Sequence, residues 1–99
     1  MKRDNIEIIQ INISGEDKPG LTSSLTGILA RHDAFILDIG QSNIHQSLTL
    51  GILFMTTAER SGQIMKELLF KASEMNIQIR FTPIDEEEYS RWVTGTKSQ

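Results

Sequence analysis

The chain has no cysteine in its 99 residues. That excludes disulfides, thiol catalysis and thiolate metal sites, and it accords with a reducing cytosol, so a cytoplasmic location is expected. Long hydrophobic runs are also missing. No apolar stretch approaches the roughly 20 residues of a membrane span, so no membrane partner is expected. The opening Met-Lys-Arg-Asp-Asn is followed by no signal-like block. Basic residues are too few for a nucleic-acid surface, which needs a clustered positive field: Lys and Arg number 10 against 13 Asp and Glu, a net charge of −3. Only two histidines occur, His32 and His45, and neither has a partner at metal-ligand spacing. There is no Asp-x-Asp, no Gly-x-Ser-x-Gly and no glycine-rich phosphate loop. No catalytic residue, metal site or cofactor is therefore expected in this chain.

Hydrophobic residues make up 38% of the chain, enough for one modest core. Ile9, Ile11 and Ile13 alternate with polar residues as a half-buried strand does. Ile6 and Ile8 have the opposite parity, which requires either a bulge near Ile8–Ile9 or cover on both faces. Leu21, Leu25, Ile28 and Leu29 follow the stripe of an amphipathic helix, and Gly27 within it suggests close packing on a sheet. A second strand spans 35–44, with Phe35, Leu37 and Ile39 on one face. A third spans 48–55, with Leu48, Leu50, Ile52 and Phe54 on one face and Leu53 and Met55 on the other. Ser61 is placed to cap a second helix carrying Ile64, Leu68, Ala72 and Met75, with Asn76 as its left-handed stop. Ile77, Ile79 and Phe81 form a fourth strand that Pro83 ends.

This order predicts an α+β fold, the ferredoxin-like βαββαβ sandwich. Its four-stranded antiparallel sheet would have strand order 4-1-3-2 and both helices on one face. The domain is expected over residues 5–84. Residues 85–99 read as a short acidic helix, from about Glu86 to Trp92, and a linker towards a further C-terminal region.

The stretch Gly15-Glu16-Asp17-Lys18-Pro19-Gly20-Leu21 joins the first strand to the first helix. Pro19 lacks an N–H and suits the first turn of a helix. Gly20 leaves the backbone open to close approach. The helix start offers unpaired N–H groups and the positive end of its dipole, a place for the carboxylate of an amino acid. On the second strand, Asp38, Gly40, Gln41 and Ser42 add acceptors, donors and a second point of close approach. Asp17 and Asp38 would meet if loop and strand are adjacent. Thr22 and Ser23 are the hydroxyls nearest the helix start.

The segment Gly15–Leu21, followed by Leu25 and Ile28-Leu29 and then Ile36-Leu37-Asp38-Ile39-Gly40-Gln41, resembles the ACT domain family over about Ile8 to Ile84. These are small regulatory modules that bind amino acids. A narrower similarity is to the amino-terminal ACT region of bacterial phosphoserine phosphatases. It rests on residues 17–26, on Ser61–Leu69 and on the acidic-aromatic Glu88-Tyr89-Ser90-Arg91-Trp92. That resemblance implies a regulatory and dimerising domain sensing an amino acid, L-serine for this enzyme class. It implies a homodimer with ligand held between paired domains. Carried over, the ligand residues are Asp17, Pro19, Gly20, Leu21, Asp38, Gly40 and Gln41. The parent enzyme would be a magnesium-dependent phosphomonoester hydrolase of L-serine biosynthesis, whose aspartate motif is not in this chain. Two alternatives belong beside it: a ligand-free pairing module, for which Leu53 and Met55 would form an exposed patch, and a free-standing ACT regulator of transcription.

Overall fold

The elements of the computed structural model run β1 (Ile6–Glu16), α1 (Leu21–Arg31), β2 (Phe35–Ile44), β3 (Ser47–Thr57), α2 (Ala58–Glu74) and β4 (Gln78–Ile84). The structure describes residues 6–85 and residue 87, so the acidic helix expected over about 86–92 falls almost wholly outside the described residues. The four strands form one antiparallel sheet in the order β2-β3-β1-β4, the expected order read from its other edge.

One cluster forms the core. Ile9, Ile11 and Ile13 from β1 and Leu48, Leu50, Ile52 and Phe54 from β3 meet Leu21, Leu25, Ile28 and Leu29 of α1. Ile64, Leu68 and Ala72 of α2 complete it. Both helices therefore lie on one face of the sheet, and the period-2 and period-3.6 stripes converge on the same layer. Each fully buried Leu, Ile or Phe contributes about 1.5–3 kcal/mol, which is why alternation in the two central strands dominates the fold.

Several local features differ from the sequence expectation. In β1 the bulge is absent and the alternative, cover on both faces, holds: its register against β3 is unbroken from Ile6 to Glu16, and both Ile8 and Ile9 are buried. The irregularity falls in β2, between Ile36 and Asp38. It rotates the strand's start, so Phe35 is 62% exposed and Ile36 packs on the core. Ser61 does not cap α2. The helix begins at Ala58 with Thr57 as its flanking residue. Ser61 is buried one turn in and its Oγ donates to the Ala58 carbonyl at 3.3 Å. Pro83 does not end β4; it sits within the strand, opposite Ile9. An edge strand tolerates a missing N–H there. An added Cβ at Gly27 would meet nothing within 4 Å, so close packing does not account for that glycine. Leu53 and Met55 are half-buried; among the described residues the exposed large apolar side chains are Phe35, Ile39 and Ile44 on the edge strand β2 and Leu69 and Phe70 on α2.

Both helices end in the same way. After α1, Asp33 takes φ 58° and Ala34 N–H returns to the Leu29 carbonyl at 2.9 Å. After α2, Asn76 takes φ 58° and Ile77 N–H returns to the Ala72 carbonyl at 2.9 Å. These are Schellman stops. The second one sits beside β1, where a Cβ at Gly15 would stand 3.0 Å from Ile77 Cγ2.

Candidate functional site: the turn after the first strand

Lys18-Pro19-Gly20-Leu21 is a type II turn. Pro19 presets the second position, and Gly20 holds φ 80°, ψ 2° at the third. Leu21 N–H closes it on the Lys18 carbonyl at 3.2 Å. Pro19 therefore precedes the helix instead of occupying its first turn. Gly20 is glycine for its left-handed φ alone, since a Cβ there would meet nothing within 4 Å. Leu21 is buried and anchors the turn in the core.

The first intrahelical bond runs from Ser24 N–H to the Gly20 carbonyl at 2.9 Å. The amides of Thr22 and Ser23, just before it, have no backbone acceptor among the described residues. They point out of the helix start beside the exposed Pro19 and Gly20. Asp17 N–H is already used, donating to the Gln46 carbonyl at 2.8 Å, as is that of Leu21. Two main-chain donors thus remain for a guest.

A chain of side chains links the turn to β2. Thr22 Oγ1 donates to Gln41 Oε1 at 3.0 Å, and Gln41 Nε2 donates to Asn43 Oδ1 at 3.0 Å. Asn43 Nδ2 donates to Asp17 Oδ2 at 2.7 Å. The carboxylate fixes the polarity of the whole chain. Asp17 only accepts, so Asn43 turns its amino group to it and its carbonyl to Gln41, and Gln41 must accept from Thr22. Sequence reasoning missed Asn43. The signal was period-2 spacing: Gln41 and Asn43 share one face of β2.

Of the expected residues, the structure brings together Asp17, Pro19, Gly20, Leu21 and Gln41. It places Asp38 and Gly40 elsewhere. Gly40 faces Gly51 across the β2–β3 ladder, and Asp38 faces Leu53, on the side of the sheet away from the helices. There they line a hollow of about 310 Å³ with Gln10, Gly51, Ile52 and Leu53. The Asp38 carboxylate accepts from the N–H of Ile39 at 2.9 Å, while Asp17 takes Asn43, so the two aspartates do not pair. Among the described residues no group of three or more His, Cys, Asp or Glu is close enough to hold a metal ion. Among them, too, no helix is long and apolar enough to cross a membrane.

A βαββαβ sandwich with an Asp-x-Pro-Gly turn at its first strand–helix junction places the chain among the small ferredoxin-like α+β modules. The profile of the ACT domain family matches residues 7–82, and the chain belongs to that family. A stretch of 45 residues is 42% identical to phosphoserine phosphatase SerB2 of Mycobacterium tuberculosis (strain ATCC 25618 / H37Rv), covering 46% of this chain and 11% of that enzyme. An ACT domain protein from Streptococcus pneumoniae superposes with a TM-score of 0.65 at 20% identity, over 78% of this chain and 89% of the other. A formyltetrahydrofolate deformylase from Burkholderia mallei ATCC 23344 gives 0.68 at 14% identity, over 75% and 27%. The ACT domain from the GTP pyrophosphokinase of Chlorobium tepidum gives 0.59 at 20% identity, over 78% and 99%. These three likenesses are of fold.

Proposed function

We propose that this domain binds a free amino acid at the Asp17–Ser23 corner and pairs with a second copy through β2, coupling ligand to pairing. The observation that carries the reading is the prebuilt corner. Two free main-chain amides, of Thr22 and Ser23, stand next to a polar chain that ends on the Asp17 carboxylate. A zwitterion needs N–H donors for its carboxylate, an acceptor for its ammonium and polar partners for its side chain, and all three are within this corner.

β2 is the open edge. Its own Pro-free backbone faces outward, whereas the other edge, β4, carries Pro83. Two β2 strands meeting edge to edge would cover Phe35, Ile39 and Ile44, which are 62%, 43% and 68% exposed. Such pairing would bring the Gln41–Asn43 stretch of one copy near the turn of the other. Asp38 and Gly40, on the far side of the sheet, would then shape the pairing surface and leave the ligand to the corner.

L-serine is the first candidate ligand, because the 45-residue stretch with 42% identity is shared with a phosphoserine phosphatase. In that setting the domain, residues 5–84, would regulate a magnesium-dependent enzyme whose catalytic residues lie outside this chain. Ligand shifts the pairing only by its differential affinity for the two arrangements. Calorimetry with each proteinogenic amino acid, with sedimentation run in parallel, tests this. Serine binding that tightens a dimer is expected. A dimer that forms equally with and without every amino acid would leave the ligand-free pairing module, the reading that the exposed apolar residues of β2 favour.

A further inference from the structure

One side chain of the corner points away from the ligand space. Lys18 is half-buried, and its Nζ donates to the carbonyl of Met75, the last residue before the left-handed stop at Asn76. A helix leaves its last carbonyls without intrahelical donors and carries the negative end of its dipole there, so an ammonium is favoured at that place. Ile77, two residues on, packs against Gly15 of β1. The type II turn uses the Lys18 carbonyl as its acceptor. One residue therefore ends α2 with its side chain and closes the ligand turn with its main chain.

The structure assigns Lys18 a positioning role: it ties the Pro19–Gly20 turn to the C-terminal end of α2, so that occupancy of the turn is felt at the α2–β4 corner. The assignment of an amino acid to the turn rests on the proposed function; the tie itself does not. Lys18 is thereby withheld from direct contact with the guest's carboxylate. The matching stop after α1 has a cation of its own, Arg60, whose Nη1 donates to the His32 carbonyl at 3.1 Å, and its Ala34 amide closes the same motif without Lys18, so it serves as an internal control.

Amide hydrogen exchange of the ligand-free domain, wild type against Lys18→Met and Lys18→Arg, tests the tie. Methionine keeps an aliphatic stem in the half-buried site. In Lys18→Met the amides of Leu21 and Ile77 are expected to exchange about tenfold faster, with Lys18→Arg restoring them to within about threefold. The amide of Ala34 should be unchanged in all three proteins. Titration with L-serine, followed by amide chemical shifts, reads the coupling. The wild type should shift at Met75–Ile77 as well as at Thr22 and Ser23. Lys18→Met should keep the shifts at the turn, lose those at 75–77 and bind about tenfold more weakly. Equal exchange at Leu21 and Ile77 in wild type and Lys18→Met would overturn the tie. So would acceleration at Ala34 as large as at Ile77, because loss of general stability would then explain everything. If the wild type binds no amino acid, the proposed function falls, and the exchange data alone decide whether Lys18 ties the turn.

Discussion

Gly20→Ala isolates what the turn contributes. Gly20 holds φ 80° and ψ 2°, and a Cβ built there meets nothing within 4 Å. No neighbour would clash, so the cost is confined to the backbone. A left-handed conformation costs an L-residue about 1–2 kcal/mol, and the stiffer unfolded chain of an alanine does not recover it. In a domain of this size about 1 kcal/mol lowers Tm by about 4–8 °C. Gly20→Ala should therefore melt roughly 4–16 °C lower while remaining folded at 25 °C. Gly20→Asn should lose about half as much, because asparagine visits the left-handed region readily. Valine is the poorer probe: its β-branch adds crowding of its own and would mix strain with loss of the site. Circular dichroism melts and urea titrations of the three variants give the ranking Gly, Asn, Ala. Serine affinity should follow the same order, since this turn aims the amides of Thr22 and Ser23. An alanine variant as stable as wild type, or an asparagine variant weaker than alanine, would refute the assigned backbone role.

Gly27→Ala in α1 and Gly62→Ala in α2 fill open space at helix-interior positions. Each should raise stability by about 1 kcal/mol, measured by urea denaturation. Glu67 accepts hydrogen bonds from Gln63 and Arg31 and pairs with His32, and these contacts, Gln63 first, hold its carboxyl below the ordinary 4.5. A depressed folded value means that its contribution is complete above 4.5 and is lost as pH falls through the folded value. Stability curves between about pH 6 and pH 3 should therefore fall less steeply in Glu67→Gln than in wild type. Asp17→Asn removes the charge that sets the polarity of the Asn43–Gln41–Thr22 chain. It should cost at most about 1 kcal/mol of stability at this exposed corner, yet weaken amino-acid binding about tenfold or more by calorimetry.

The fold was legible because its signals are redundant. Ile9, Ile11 and Ile13 alternate, the α1 stripe repeats at helical spacing, and both converge on one core. The left-handed stop at Asn76 was also readable, since asparagine is one of few residues suited to it. Where one signal stood alone, it misled. Ser61 carries a capping side chain, but Thr57 already lies extended at φ −100°, ψ 157°, and the helix starts earlier. The β2 bulge has no glycine or proline to mark it, so the strict alternation read across Phe35–Ile39 put Phe35 on the wrong face. At the candidate site the turn chemistry of Pro19-Gly20 was written locally. The grouping of Gln41 with Asn43, and the departure of Asp38 and Gly40 to the other side of the sheet, depend on strand register, which one sequence encodes only weakly. The Lys18–Met75 contact joins residues 57 positions apart and had no local signal at all.

The central claim is that the free amides at the start of α1 receive an amino acid. Residue-resolved NMR titration of the domain with L-serine and the other amino acids tests it most directly. The account predicts that the Thr22 and Ser23 amides and the Gln41 and Asn43 side-chain amides shift first and saturate together with one ligand. Saturating shifts confined to the Gly40–Gly51 hollow, or none at millimolar concentration of any amino acid, would contradict it.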